Sequence, residues 1–255
     1  LFLRHGRGVH LTDAGELLFS RAVRILDELA AATAEMAAAR NRPGGTVAIG
    51  TMPGWATLAA ADLVERFRSR FPDTVLGIST GPGGDLLEDL AAGTIQAALL
   101  YDAQASRGLE VDWIAEEPLY LVGRAGEAAV AGTDIPFARL AELPLVIPRA
   151  GHPLRRVVDA AARKAGVALR PSVEMEAMMA IRPLLARGDM FTVLGGPMMR
   201  SLAAEGGLAA ALVVEPRIDR KLAIVTASWM PLGEPARAAI AMLRSEVLRI
   251  LRAET

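Results

Sequence analysis

From residue 46 onward, apolar runs of strand length alternate with segments of helical period, and that alternation limits the chain to an α/β architecture. Val47-Ala48-Ile49-Gly50 reads as a strand, and residues 57–71 as a helix closed by Pro72. A strand over 75–79, a helix over 85–92 ended by Gly93, and a strand over 97–101 come next. Another strand covers 119–123. The pattern then restarts: strand 144–148, helix 154–165, strand 172–175, helix 178–187 ending at Gly188, strand 191–194. A strand over 222–227 and a helix over 235–252 close the chain. Repetition of this kind predicts a parallel sheet with helices on its faces. It divides the region into two similar halves, the second inserted within the first, joined by strands near Leu121 and Val225.

The stretch before this region is different. Leu1 to Leu3 and Val9 to Leu11 flank Arg4-His5-Gly6-Arg7-Gly8, a small hairpin with a basic, glycine-flexible tip. Arginine forks at such a tip suit phosphate oxygens, although a solvated turn has the same composition. Thr12 can cap a helix whose first turn holds Asp13 and Glu16; Gly15 stands where a capping box would place its glutamate. No proline interrupts the alanine-rich run to Arg40. Leu18, Ala22, Ile25, Leu29, Ala32 and Met36 follow the four-three spacing of a two-stranded coiled-coil seam. The other reading of that stripe is packing on the chain's own domain. Asn41-Arg42-Pro43-Gly44-Gly45 breaks the helix.

Composition narrows the class further. At 255 residues, 52% apolar and 22% charged, the chain has material for one large core or two modest ones. A net charge of −1 advertises no global field for nucleic acid, so any such contact must be local. The absence of cysteine excludes disulfides and thiolate metal sites and fits a reducing cytosol. With no secretory segment and no apolar run long enough for a bilayer, a cytoplasmic protein without membrane contact is expected.

The order Leu1-Phe2-x-Arg4, then Arg7-Gly8-Val9-x-Leu11-Thr12-x-Ala14-Gly15, resembles the wing and linker-helix start of LysR-type transcriptional regulators. Phe67-x-x-x-Phe71-Pro72, Leu86-x-x-x-Leu90-x-x-Gly93-x-Ile95 and Glu117-Pro118-Leu119-Tyr120-Leu121-Val122 continue the resemblance to the last helix. The wording around Leu100-Tyr101-Asp102 and Glu116-Glu117-Pro118 looks like the branch that contains nitrogen-assimilation regulators. The resemblance implies an effector region of type 2 periplasmic-binding-protein-like architecture, two α/β subdomains around a central cleft. It divides the chain into a wing remnant at 1–12, a linker and dimerisation helix at 13–42, and an effector-binding domain at 46–255. Within that domain, subdomain I comprises 46–123 and 222–255, and subdomain II comprises 124–221. The base-reading helix of the family would lie before Leu1, leaving Arg4 and Arg7 to position DNA phosphates. A homodimer or homotetramer acting on promoter DNA is implied.

In open α/β sheets, ligands sit beyond the carboxyl ends of strands, where helix starts present N–H groups. That geometry selects Thr51, Gly54, Trp55 and Thr57, then Thr80 and Gly83, then Tyr101, as effector-facing candidates. From the second half it selects Pro148, Arg149 and His152, then Met178, then Leu194 and Gly195. Gly54 and Gly83 fall where the resemblance places hydroxyl residues, which leaves Thr51, Thr57 and Thr80 as the nearby hydroxyl donors. Trp55 offers a flat apolar face to a ring or acyl group, or else covers the core. Arg149 and His152 can grip a carboxylate, or else are solvated loop charges. Gly81-Pro82-Gly83-Gly84-Asp85 lacks the Lys-Ser/Thr that a phosphate loop requires.

Signals for an enzyme are poor. His5, His10 and His152 are scattered, no Gly-x-Ser-x-Gly elbow occurs, and no cofactor or metal is called for. The expected function is a LysR-type regulator that couples a small, anionic metabolite to promoter binding. The alternative is a solute-binding protein of the same bilobal fold, feeding a transporter; it leaves the basic hairpin and heptad helix unexplained.

Overall fold

The computed structural model describes residues 1–5, 8–23, 25, 45–104, 106 and 108–252, and not the side chains of 4, 5, 8, 178 and 179. Leu29, Ala32 and Met36 of the expected seam, Arg7 of the hairpin tip and the breaker at 41–44 therefore lie outside the described residues. Of Arg4 only the backbone is described, in strand β1 (Phe2–His5), which pairs antiparallel with β2 (Gly8–Leu11). Helix α1, described over residues 13–23, follows at once. Its start is capped by Thr12, whose Oγ1 accepts from the Gly15 N–H at 3.0 Å. Gly15 is there for space: a β-carbon on it would collide with the Leu1 carbonyl oxygen. The glutamate of a capping box has no room at that position.

The main sheet contains β3 (Thr46–Thr51), β4 (Val75–Thr80), β5 (Ala97–Tyr101), β6 (Leu109–Arg124), β7 (Asp134–Pro136), β11 (Leu208–Val214) and β12 (Asp219–Ala227). Their order is β4-β3-β5-β12-β6-β11-β7, and β10 (Thr192–Gly195) pairs with β6 off that path. The expected parallel sheet is only partly parallel. β3 runs parallel to β4 and β5, but β12 is antiparallel to both β5 and β6, because it returns from the second half and enters from the other end. A separate parallel pair joins β8 (Val146–Ile147) to β9 (Val173–Glu174).

Helix α2 (Pro53–Arg70) begins four residues before the expected start at 57. Pro53 sits in its first turn, where the missing N–H costs nothing. Trp55, Ala59, Leu63 and Phe67, each four residues apart, form its buried stripe. Helices α3 (Gly83–Ala91), α4 (Pro153–Ala165), α5 (Met178–Ala186) and α7 (Glu234–Arg252) match the periodicity closely. Helix α6 (Gly196–Ala203) and strand β11 carry no clear period, and the sequence pattern does not predict them.

The apolar side chains collect in two groups. One packs α2, α3 and α7 on β3, β5 and β12, around Ile49, Phe67, Leu99, Leu222 and Val247. The other holds Leu119, Phe137, Leu140, Val193 and Val213, with Leu194 and Ile181 beside it. Strand β6 serves both: residues 109–118 pair with β12, and residues 119–124 pair with β10 and β11. The chain thus passes from one core to the other at Pro118–Leu119, earlier than the expected division at 123. The return passes through β12, whose Asp219 faces Pro118.

Candidate functional site

A cleft of about 660 Å³ opens where the two cores meet. Four helix starts face it: Pro53 and Gly54 of α2, Pro82 and Gly83 of α3, His152 and Pro153 of α4, Gly195 and Pro197 of α6. No side chain caps α2, α3 or α6, and the first turns of α2, α4 and α6 contain no acidic residue. Helix starts carry partial positive charge and can receive a negative group, although the first turn of α3 also holds Asp85. Trp55, Leu58, Met175, Ile181, Leu194 and Met198 supply apolar lining between them. Gly54 leaves room for Met198 from the other side: a β-carbon on it would lie 2.7 Å from the Met198 methyl.

The floor is polar and buried. The Trp55 Nε1–H donates to the Tyr101 hydroxyl oxygen at 2.9 Å, and the Tyr101 hydroxyl donates to Glu117 Oε2. Burial and the neighbouring Glu117 carboxylate push the Tyr101 phenol well above its ordinary range, so it keeps its proton. Arg220 lies directly across the sheet from Glu117. Its guanidinium stacks over the Tyr101 ring at 3.9 Å and its Nε–H donates to Asp102 Oδ2 at 3.0 Å. The other Asp102 oxygen accepts from the Lys221 N–H at 3.0 Å. Glu117 and Arg220 are 1% and 7% exposed, so this charge is held away from bulk water.

The opposite side is wetter. Arg149 donates through Nε to Glu176 at 3.1 Å, and its side chain is 77% exposed, so the pair stabilises little. His152 Nδ1 accepts from the Leu154 N–H at 3.2 Å, capping α4. Burial is the main force that lowers the His152 pKa; Glu176 opposes it, and Arg220, Arg156 and Arg149 add to it. Among the described residues, no three His, Cys, Asp or Glu side chains cluster as a metal would need, and no helix is long and apolar enough to cross a membrane.

The LysR substrate binding domain family matches residues 40–248, most of the chain. The chain belongs to that family. Over 98% of its length it is 27% identical to the nitrogen assimilation regulatory protein nac of Klebsiella aerogenes, covering 81% of that protein. It is 30% identical over 252 residues to the transcriptional regulator DgdR of Burkholderia cepacia, covering 80% of it. Among solved structures, a hydrogen-peroxide-bound cysteine-to-serine mutant of Corynebacterium glutamicum OxyR superposes with a TM-score of 0.70 at 21% identity, over 99% of this chain and 81% of that one. Full-length CbnR in complex with its target DNA gives 0.62 at 21% identity, over 96% and 83%. The LysR domain has the type 2 periplasmic-binding-like fold, and the chain is a LysR-type transcriptional regulator with an effector-binding domain; a transport solute-binding protein is not favoured. Its curated relatives are regulators, not enzymes.

Within this LysR domain, the cleft gathers Gly54, Trp55, Gly83, Tyr101, Pro148, Arg149, His152, Leu194 and Gly195 from the residues selected in the sequence. The three threonines are elsewhere. Thr51 is buried, with Oγ1 turned to the Met52 carbonyl; Thr57 returns its hydroxyl to the Pro53 carbonyl at 3.1 Å; Thr80 is exposed outside the cleft. The Met178 side chain lies outside the described residues. Glu117, Arg220, Glu176 and Met198 line the cleft and are absent from the sequence selection. Glu117 and Arg220 lie on the two strands linking the cores, whose pairing the sequence pattern does not display. A charged residue inside an apolar strand run, as in Glu117-Pro118-Leu119, is the available signal.

Proposed function

We propose that this chain senses a small anionic effector in the cleft and passes the occupancy to promoter DNA as a homo-oligomer. The convergence of four helix starts on one cleft carries this reading, because backbone N–H groups and helix dipoles together stabilise negative charge. Gly54, Gly83, Arg149, His152, Leu194 and Gly195 are the residues assigned to the effector, with Trp55 and Tyr101 beneath it.

The effector region at 46–255 has two lobes that exchange through β6 and β12, so a ligand touching both favours one closure. The wing remnant at 1–12 and linker helix at 13–42 carry that change outward. Leu17, Leu18, Phe19 and Ile25 in this part of the chain are 52 to 67% exposed, apolar surface that a partner helix would cover. Arg4 and Arg7 on the wing are assigned to phosphate positioning. A regulator of promoter DNA works in the cytoplasm.

Gel-shift titration of the full-length parent on promoter and random duplexes tests the reading. A preference for promoter that changes with a small carboxylate is expected; equal weak affinity for both overturns it. Light scattering on this chain should return a dimer or tetramer, and a stable monomer counts against the shared helix.

A further inference from the structure

A buried guanidinium on the cleft floor has donors to spare. An indole N–H only donates and a phenol has a single proton, so Trp55 gives to Tyr101 and Tyr101 gives its proton to Glu117. Neither side chain keeps a proton for a ligand. Arg220 differs. It lines the cleft and is 7% exposed. Its Nε donates to Asp102 and its face rests on the Tyr101 ring, and among the described residues nothing accepts from its two terminal nitrogens. Those nitrogens carry the other four protons of the guanidinium. Arg155 shows the structural alternative: it gives Nε to Asp159 and Nη1 to the Pro148 carbonyl and Glu174. A buried donor without an acceptor is costly, so the Arg220 fork calls for an acceptor from outside the chain, water or ligand.

A guanidinium fork matches the two oxygens of a planar acid. Across the cleft, His152 Nδ1 accepts from the Leu154 N–H, so the neutral ring carries its proton on Nε2 and adds a second donor. The seat already has carboxylates beside it: Asp102 on the Arg220 Nε, and Glu117 directly opposite Arg220 in the sheet. A doubly charged ligand would add two like charges there, a singly charged one only one. The walls are apolar, with Trp55 from one lobe and Leu194 and Met198 from the other. We propose that Arg220 anchors the effector: its terminal nitrogens receive the carboxylate of a singly charged acid whose apolar body lies against Trp55, Leu194 and Met198. The inference rests on the anionic-effector reading and names the anchoring residue and the acid class within it.

Isothermal titration of the purified chain tests this with hexanoate, octanoate and phenylacetate, each against its carboxamide and the phosphonate of the same body, at a pH where the phosphonates are doubly charged. At least one carboxylate should bind roughly tenfold to a hundredfold more tightly than its carboxamide, the range for hydrogen bonds to charged groups. Arg220→Gln should collapse that ratio, and Arg139→Gln, exposed and outside the cleft lining, should leave it alone. If Arg220→Gln does not fold, a crystal structure of the unaltered chain with the tightest acid decides, by whether its carboxylate meets the Arg220 terminal nitrogens. A ratio that survives Arg220→Gln, or a carboxylate seated elsewhere, overturns the anchor and leaves the anionic reading standing. Phosphonates binding more tightly than carboxylates overturns the single charge, and no binding by any member of the sets overturns the apolar acid class. Carboxamides binding as tightly as carboxylates overturns the anionic reading itself.

Discussion

Gly195 and Glu117 meet where the two cores join, so closely that a β-carbon on Gly195 would overlap Glu117 Oε1. Gly195 is the N-cap of α6 in one lobe, and Glu117 reaches through Tyr101 to Trp55 of α2 in the other. A carboxylate at the end of a flexible side chain usually moves aside, but this one is buried and bonded to Tyr101. Gly195→Ala should cost about 1–3 kcal/mol, the range for overfilled cores. Urea unfolding measures it, and a loss below about 0.5 kcal/mol, typical of surface changes, would show that Glu117 relaxes freely.

Removing the Tyr101 hydroxyl takes a hydrogen bond from two partners at once. Tyr101→Phe leaves the Trp55 N–H without its acceptor and Glu117 without this donor, at a cost of about 1–3 kcal/mol for unmade buried hydrogen bonds. Trp55 is buried, and Trp113 and Trp229 lie outside the cleft lining. The emission change on substitution should therefore vanish when Trp55 is also replaced by Phe. An unchanged spectrum together with unchanged stability would contradict the hydrogen-bonded chain.

The α/β order, most element positions and three of the four helices that open on the cleft were legible because each leaves a local trace: a period, a proline, a glycine. Pro53, Pro82, Pro153 and Pro197 all stand at or beside a helix start, and three of those helices were marked by their spacing. Strand direction was not legible, since β12 reads the same whether it pairs parallel or antiparallel with β5. Glu117 and Arg220 escaped for the same reason: they are 103 residues apart and become neighbours only through the register of β6 and β12. The threonines misled because a hydroxyl near a strand end has competing local uses, as Thr57 shows by bonding back along its own helix.

His152 makes stability depend on pH. Its folded pKa lies below the ordinary value of 6.5, chiefly because burial disfavours the charged ring, with Arg220, Arg156 and Arg149 adding to the effect against Glu176. The unfolded chain takes up this proton at a higher pH than the folded chain, so stability rises with pH across the window. It is complete above about 6.5 and falls as the solution is acidified below that value. Protonation of Nδ1 also removes the acceptor that caps α4. Denaturation at pH 7.5 and 5.5 should show a smaller difference for His152→Asn, which retains a capping group. Equal differences in the two proteins would remove His152 from the pH response.

Asp102 combines a strained backbone with a charged role, which allows its contributions to be separated by the order of three variants. Its φ of 51° lies in the left-handed region, where Asn and Gly are tolerated and Ala is penalised by about 1 kcal/mol. Its carboxylate also accepts from Arg220 Nε and the Lys221 N–H. Asp102→Asn keeps an acceptor and the backbone preference while losing charge toward Arg220. Asp102→Gly keeps only the backbone freedom, and Asp102→Ala keeps neither. Stability should therefore fall in the order Asn, Gly, Ala, with Ala roughly 2 kcal/mol below the unaltered chain. Calorimetric or urea unfolding of all three decides it. If Gly is less stable than Ala, conformational freedom in the unfolded chain outweighs the left-handed strain, and Asp102 is held by its hydrogen bonds alone.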